Sequence, residues 1–158
     1  MSDIRYPQRK SPRLQGYDYA QSGAYFVTIC THKRAHWFGH ITGGLMMLPP
    51  MGQIAADCWA AIPNHFDVVE LDVAVVMPNH VHGIIVLTGG GAALGTIVGT
   101  YKAAVTRLIR RECSAPPDTV WHTRYYDHII RNERALERIR KYIIYNPARW
   151  QADRLYTP

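Results

Sequence analysis

Two short runs of apolar and β-branched residues, joined by a three-residue turn, constrain the fold of this chain more than any other feature. The first run covers 68–76, the turn is Met77-Pro78-Asn79, and the second run covers 81–87. Strand-forming residues around a proline turn predict a hairpin or two adjacent strands. Because side chains alternate across a strand, His80 and His82 share one face. The pair therefore places two imidazoles within reach of one ion.

The histidine pair alone does not establish a metal site. Two imidazoles leave a divalent ion without a complete ligand set. A His-x-His segment is also compatible with histidines that pack inside a strand or are hydrated at its surface. The role of the pair therefore depends on what other parts of the chain bring to it.

The other periodic segments predict an α+β domain. Further strands are expected at 25–31, at 121–130 and in a short hairpin with arms at 37–41 and 45–48, and helices at 52–62, 94–111 and 132–145. The order strand, helix, strand, strand, helix, strand, helix is compatible with a ferredoxin-like split β-α-β sandwich. That fold has an antiparallel sheet, and the last helix is an addition to it.

The predicted helix 94–111 has one apolar and one basic face. At about 100° per residue, the apolar face contains Leu94, Ile97, Val98, Tyr101, Val105 and Leu108. Across from it lie Lys102, Thr106, Arg107 and Arg110. One side of this helix is therefore expected to pack and the other to remain available to a partner.

The charge of the chain points to a polyanionic partner. Eighteen Lys and Arg against 12 Asp and Glu give a formal net charge of +6. A basic surface without a binding role is the alternative at this excess. Residues 1–22 lack periodicity and contain Arg9, Lys10 and Arg13, so we predict a basic N-terminal arm. We expect one main domain at 23–150 and a C-terminal tail at 151–158.

Cysteine usage and the lack of long apolar runs predict a cytoplasmic protein. The three cysteines are far apart, which fits neither a disulfide framework nor a thiolate zinc site. No apolar run approaches the roughly 20 residues that a bilayer crossing needs. The first residues also have no apolar signal core.

The end of the last predicted helix places polar groups beside its apolar face. Tyr142 and Asn146 are four positions apart, so they lie one turn apart on the same side. On a helical wheel both fall beside Ile139, at the edge of the apolar face that also contains Ile143, whereas Tyr145 points to solvent. Tyr142 and Asn146 therefore occupy the boundary between the packed and the solvated face.

A tyrosine at such a boundary can act as a nucleophile when a metal polarises the target phosphate. Its hydroxyl has a pKa of about 10 and attacks poorly without that help. The site would place His80, His82 and Asn146 around a divalent ion, with Tyr142 directed at a phosphorus atom. Tyr142 is also compatible with an amphipathic edge residue, and Asn146 with a helix-end residue before Pro147.

Four segments resemble those of a known enzyme family. Residues 77–83, Met-Pro-Asn-His-Val-His-Gly, resemble the His-hydrophobic-His signature of HUH single-strand endonucleases. Residues 121–132 and 142–147 resemble those of the REP-associated tyrosine transposases, a branch of the single-tyrosine insertion-sequence transposases. Residues 99–107 are similar to the middle helix of these enzymes. Together the segments span about 24–150, nearly the whole domain.

The resemblance implies cleavage and rejoining of single-stranded DNA. It implies Tyr142 as the nucleophile, His80 and His82 as metal ligands, and Asn146 as a polar ligand one turn beyond the tyrosine. The implied reaction forms a 5′-phosphotyrosine link and releases a 3′-hydroxyl that later rejoins strands. Two imidazoles alone would favour zinc, but the family implies Mg²⁺ or Mn²⁺. Family members act on hairpin-forming repeats, so a folded single strand is the implied substrate.

Cationic and aromatic residues then become candidates for DNA contacts. The cations are Lys102, Arg107, Arg110 and Arg111 on the middle helix and Arg9, Lys10 and Arg13 on the arm. We expect Tyr125 or Trp121 to be exposed and to stack on bases. Each cation is also compatible with an ordinary solvated surface.

Two other functions are compatible with the sequence. A non-catalytic nucleic-acid-binding module derived from a transposase would recognise hairpins without cleaving them. A zinc hydrolase is a further alternative, although Glu70 and Asp72 lie at the far end of the preceding strand and no general base is placed beside the histidines. A monomer and a homodimer with shared active sites both fit the helix patterns.

Overall fold

The computed structural model describes residues 22–158, and its elements follow the predicted order. In this range the strands are β1 Gly23–Cys30, β2 His40–Thr42, β3 Leu45–Met47, β4 Val69–Met77, β5 His80–Leu87 and β6 Tyr126–Ile130. The helices are α1 Pro50–Ala60, α2 Ile62–His65, α3 Leu94–Glu112 and α4 Glu133–Ile144, with 3-10 helices at His32–Arg34 and Pro147–Ala152. Arg9, Lys10 and Arg13 of the predicted arm lie outside the described residues.

The main sheet has the strand order β4-β5-β1-β6, and every neighbouring pair is antiparallel. Helix α1 lies in the connection from β1 to β4, and α3 lies in the connection from β5 to β6. This is the ferredoxin-like split β-α-β arrangement, and the prediction of this fold is confirmed. The small hairpin of β2 and β3 forms a separate sheet, joined by Gly43 and Gly44 with φ values of 58° and 76°.

The two faces of the main sheet are covered by different helices. On β5, Val81 and Ile85 belong to the large core that also contains buried residues of α1 and α3. Ile84, on the opposite face, belongs to a smaller cluster with Phe26 and Ile143 of α4. Because β1 and β5 are buried on both faces, they appear in the sequence as nearly continuous apolar runs.

Helix α1 approaches the sheet closely at Gly83. A Cβ atom at this position would lie 2.2 Å from a ring carbon of Trp59. The glycine that follows the histidine pair therefore lets the indole of Trp59 pack directly on β5, on the face opposite the imidazoles.

Helix α3 has the two faces predicted for it, with one change at its end. Its buried residues are Leu94, Ile97, Val98, Tyr101, Val105 and Ile109. Leu108 is only partly buried, so Ile109 takes the last core position. None of the helices in residues 22–158 combines the length and apolar character that a membrane crossing requires.

Helix α4 begins at an N-cap and packs through a narrow apolar stripe. The side chain of Asn132 accepts a 2.8 Å hydrogen bond from the backbone nitrogen of Ala135, as expected for a capping asparagine. Ile139 and Ile143 are buried against the sheet. The predicted core face of this helix is confirmed.

A carboxylate on the edge strand holds the solvated side of α4. Arg140 donates from Nε and Nη2 to the two carboxylate oxygens of Asp72, at 2.9 and 2.6 Å, and from Nη1 to Glu137 at 2.6 Å. This side-on pairing lowers the pKa of Asp72, chiefly through the hydrogen bonds from Arg140. It fixes the helix two residues before Tyr142.

The last strand is shorter than predicted. Only Tyr126–Ile130 forms β6, and Trp121 makes an isolated bridge to Thr31. The Trp121 indole donates to the carbonyl oxygen of Lys102 on α3 at 3.1 Å, and His122 turns the chain by accepting from the nitrogen of Arg124 at 3.2 Å. Tertiary packing of the indole thus overrides the alternating pattern.

Candidate active site

The two histidines lie on one face of β5, on the side of the sheet that α4 covers. Both side chains are fully buried, and their ring centroids are 4.4 Å apart. Strand β1 supplies Thr28, whose Oγ1 lies 2.9 Å from Nδ1 of His82. The strand geometry therefore brings the imidazoles together as the spacing predicts.

Hydrogen bonds assign the tautomer of His80. Asn79 donates from Nδ2 to the carbonyl oxygen of Leu155 at 2.8 Å, so its Oδ1 is left as an acceptor. Nδ1 of His80 lies 2.7 Å from that oxygen and must donate to it. Nε2 of His80 then has a free lone pair, and it is buried with no hydrogen-bond partner in the described part of the chain.

Burial keeps both imidazoles neutral. Desolvation is the main reason that the pKa of His80 falls from 6.5 to about 4, although the nearby Asp153 carboxylate opposes the shift. Desolvation also lowers the pKa of His82 well below its ordinary value, and repulsion from His80 adds to this effect. A neutral imidazole is the form that binds metals.

Helix α4 brings Tyr142 to the histidines. The ring centroid of Tyr142 is 5.4 Å from that of His82 and 6.1 Å from that of Phe26, and the Tyr142 and Phe26 rings are nearly perpendicular. Tyr142 is half-buried, whereas Tyr145 on the same helix is 54% exposed. Of the two tyrosines, the one predicted at the packed boundary is the one that meets the imidazoles.

Asn146 also lies at this site. It follows α4, is 2% exposed, and donates from Nδ2 to a carboxylate oxygen of Asp153 at 2.7 Å. Its Oδ1 is buried and has no hydrogen-bond partner among residues 22–158. The structure therefore brings together His80, His82, Tyr142 and Asn146, the four residues on which the sequence hypothesis rests.

Asp153 is a site residue that the sequence did not reveal. Its carboxylate and the nitrogens of His80 and His82 offer ligand atoms that all lie within 4.8 Å of one another. The hydroxyl of Tyr142 donates to the same carboxylate at 3.3 Å. Asp153 lies in the segment predicted as a tail, and no local pattern links it to a strand about seventy residues earlier.

The segment after α4 holds Asp153 in place. Trp150 is 8% exposed, and its ring centroid lies 6.2 Å from that of His80. Leu155 is buried and donates from its backbone nitrogen to Oδ1 of Asp153 at 2.7 Å. Residues 147–155 therefore continue the folded domain across the histidines.

The donors at this site fit a divalent cation. Two neutral imidazoles and one carboxylate are the mixed ligand set that divalent transition metals accept. The buried lone pairs on Nε2 of His80 and Oδ1 of Asn146 would gain a partner if a cation bound there. His80, His82 and Asp153 thus form a cluster able to hold a metal ion.

The cations predicted on α3 differ in their surroundings. Arg107 and Arg110 are exposed, and Arg110 donates to the carbonyl oxygen of Asp118 at 3.1 Å. Lys102 is half-buried and donates to the carbonyl oxygen of His122 at 2.8 Å. A cavity of about 440 Å³ is lined by Lys102, Ala103, Thr106, Arg107, Arg110 and Trp121.

One aromatic prediction is wrong. Trp121 is only 6% exposed, because its ring packs on Phe38 with centroids 5.2 Å apart and its indole nitrogen bonds to α3. It forms the wall of the basic cavity, and its ring face is not free for a base. Tyr125 is half-buried against the main core, and its role in base stacking stays a prediction.

Comparisons with known proteins show the family of this chain. A family model described as transposase, IS200-like, matches residues 53–146. An uncharacterised protein of Haemophilus influenzae is 37% identical over 169 residues, covering 94% of this chain and 93% of its own. The chain belongs to the IS200-like transposase family.

Two solved structures share the fold. One is a REP-associated tyrosine transposase bound to a REP hairpin, with a TM-score of 0.66 and 21% identity over 94% of this chain and 74% of that one. The other is a putative transposase from Deinococcus radiodurans, with a TM-score of 0.54 and 19% identity over 84% of this chain and 95% of that one. The α+β sheet architecture is that of these transposases.

Proposed function

We propose that this transposase cleaves and rejoins hairpin-forming single-stranded DNA through a 5′-phosphotyrosine intermediate, with Tyr142 as the nucleophile. The observation that carries the proposal is the meeting of Tyr142 with the buried histidine pair, at 5.4 Å between the rings of Tyr142 and His82. A nucleophile beside a divalent-cation site is the pairing that attack on a phosphodiester requires.

The cleavage step exchanges one phosphoester bond for another and transfers one proton. The phenol oxygen of Tyr142 attacks the phosphorus, the bond from phosphorus to the 3′ oxygen breaks, and a tyrosine phosphodiester forms. The phenol loses one proton and the departing 3′ oxygen gains one. Rejoining is the reverse attack by a 3′-hydroxyl, so the bond energy is retained and no nucleotide cofactor is needed.

The protein groups around Tyr142 prepare this step. His80 and His82, with Asn146 as the further ligand predicted from the sequence, would hold Mg²⁺ or Mn²⁺. The bound ion would polarise the phosphate and stabilise the charge that develops on it. Contact with the Phe26 ring and the packing of α4 on the sheet limit the positions open to the Tyr142 ring.

The basic surface of α3 supports a DNA substrate. Arg107 and Arg110 are exposed beside a cavity that would admit a phosphate backbone, and Lys102 lines the same cavity. A relative with this fold was solved with a REP hairpin, which favours a hairpin substrate for this chain. The arm residues Arg9, Lys10 and Arg13 would add phosphate contacts.

The proposal is tested by trapping the covalent adduct. The protein is incubated with a 5′-end-labelled hairpin oligonucleotide carrying single-stranded flanks from the host genome and with MnCl₂, and the products are separated on a denaturing gel with and without protease. We expect the 5′ label on a shorter fragment that ends in a 3′-hydroxyl. A second label at the 3′ end should appear in a shifted band that protease removes, because that fragment carries the protein.

Two matched variants separate catalysis from binding. Tyr142→Phe should abolish the adduct, whereas Tyr145→Phe, on the exposed side of the same helix, should leave it intact. An adduct that survives in Tyr142→Phe would reject the nucleophile assignment. Tight hairpin binding without any adduct in the wild type would instead favour the non-catalytic binding module.

A further inference from the structure

We propose that Asp153 is an anionic ligand of the metal and that Asn146 and the Leu155 amide hold its carboxylate toward the histidines. The inference rests on the proposed metal-dependent function and adds a ligand from the segment after α4. It assigns a binding role to a residue that lies outside the His-x-His strand and outside the tyrosine helix.

The first support is distance. Ligand atoms of His80, His82 and Asp153 lie within 4.8 Å of one another. Two nitrogen or oxygen ligands at about 2.0–2.2 Å from one ion are separated by about 3–4.4 Å. Small side-chain rotations would therefore bring all three groups onto one cation.

The second support is a pair of buried acceptor atoms on the residues around the Asp153 carboxylate. Nε2 of His80 and Oδ1 of Asn146 are both buried and lack hydrogen-bond partners in the described region. The amide of Asn146 cannot be turned to relieve this, because its Nδ2 donates to Asp153 at 2.7 Å. Two acceptors without donors, beside a carboxylate, are the surroundings of a cation.

The third support is charge. Two neutral imidazoles and an amide would leave the double charge of a divalent ion uncompensated in a buried site. Burying a net charge is costly, and an anionic ligand reduces that cost. Of the carboxylates in residues 22–158, Asp153 is the one grouped with the histidine pair.

The fourth support is the fixed position of the carboxylate. One oxygen of Asp153 accepts from Asn146 at 2.7 Å and from Tyr142 at 3.3 Å, and the other accepts from the nitrogen of Leu155 at 2.7 Å. An ionised carboxylate has about four lone-pair sites. One site therefore remains for a cation after these three hydrogen bonds, and the hydroxyl of Tyr142 is linked directly to the metal ligand.

The test measures metal binding without DNA. Full-length wild type, Asp153→Asn and the matched surface control Asp67→Asn are titrated with MnCl₂, using isothermal calorimetry and the loss of the free Mn²⁺ electron paramagnetic resonance signal. Asp153→Asn keeps the size of the side chain and removes only its charge. We expect it to weaken Mn²⁺ binding at least about tenfold, while Asp67→Asn binds as the wild type does.

Stability measurements and a second variant distinguish a lost metal ligand from a folding defect. Circular dichroism and thermal unfolding are recorded for each protein, and Asp153→Glu, which restores the charge, should recover part of the Mn²⁺ affinity. Unchanged affinity in Asp153→Asn, or a wild type that does not bind Mn²⁺, would overturn the inference. Loss of affinity in Asp153→Asn with no DNA adduct in the wild type would uphold this ligand and reject the proposed reaction. Unchanged affinity in Asp153→Asn together with a DNA adduct in the wild type would reject this ligand and uphold the proposed reaction.

Discussion

The imidazole of His80 combines two properties that rarely occur together in a core: full burial and, within residues 22–158, an Nε2 lone pair without a hydrogen-bond partner. His82 is equally buried. The network from Leu155 through Asn79 fixes the proton of His80 on Nδ1. Burial keeps the rings neutral, so a ligand is prepared at neutral pH. The same burial makes these residues a source of acid sensitivity.

Acid should destabilise the metal-free protein through His80. Its folded pKa of about 4 lies below the unfolded value of 6.5, so the folded state binds fewer protons between these values. The contribution of His80 to stability is therefore fully present above pH 6.5 and is lost as the pH drops toward 4, by on the order of 3 kcal/mol. Urea unfolding in EDTA at pH 7 and pH 4.5 measures this loss.

His80→Asn should remove the part of that pH dependence that comes from His80, because asparagine does not titrate. His80→Asn/His82→Asn should remove more, because burial also lowers the pKa of His82. His65→Asn, at an exposed position at the end of α2, is the control and should keep it. Equal pH dependence in His80→Asn and the wild type would show that another group causes the acid loss.

The hydrogen bond between the Thr28 hydroxyl and Nδ1 of His82 should orient the His82 ring. Thr28→Val keeps the shape of the side chain but removes the partner 2.9 Å from Nδ1. We expect Mn²⁺ affinity to fall roughly tenfold, as for other groups that orient a histidine ligand. Calorimetric titration against the control Thr106→Val, on the surface of α3, checks this value. An unchanged affinity would mean that packing against Phe26 alone orients the ring.

At the scale of elements, α4 is the part whose placement matters most. It reaches the sheet through a small cluster in which Phe26, Ile84, Ile139 and Ile143 are the buried residues, and through the Arg140 pair on the other side. The large core contains the other helices. The position of Tyr142, the proposed nucleophile, therefore depends on few contacts.

Ile143→Ala should weaken the attachment of α4. Ile143 is fully buried, so its truncation should cost about 2–5 kcal/mol in the free energy of unfolding. Ile144→Ala, one residue along and 57% exposed, should cost less than about 0.5 kcal/mol. Urea unfolding measures both, and similar values for the two variants would contradict the observed orientation of the helix.

Local signals account for what could be predicted about this helix and what could not. The cap at Asn132, the stripe ending at Ile143 and the four-residue step from Tyr142 to Asn146 all follow from helix periodicity, and the structure agrees with them. The burial of Trp121 could not be predicted from the residues next to it in the sequence. Its indole is fixed by a carbonyl oxygen on α3, which no short window of sequence contains.

At the scale of the whole molecule, the site joins strands and segments far apart in sequence. The order of strands follows from the alternation of strands and helices, which is why the fold could be predicted. Asp153 was missed because its link to His80 depends on how the chain returns after α4. The side-chain pattern identifies the site residues on β5 and on α4. The path of the 3-10 helix Pro147–Ala152 decides which later residue meets them.

The basic side of α3 should set the salt dependence of hairpin binding. Arg107→Gln combined with Arg110→Gln should weaken binding and reduce the slope of log K against log salt by roughly 0.7–0.9 for each phosphate that is no longer neutralised. Arg131→Gln, an exposed cation outside α3, is the control. Fluorescence anisotropy with a labelled hairpin from about 50 to about 300 mM NaCl measures the slope, and an unchanged slope would remove α3 from the DNA interface.

The most direct test of the central claim is to locate the covalent bond. Wild-type protein is reacted with hairpin DNA and Mn²⁺, digested with nuclease and trypsin, and the modified peptide is sequenced by tandem mass spectrometry. We expect the nucleotide mass on Tyr142, and its loss in His80→Ala/His82→Ala. A modified Tyr145 or another residue, or an undiminished adduct without the histidines, would contradict the account that strand β5 and helix α4 form one site.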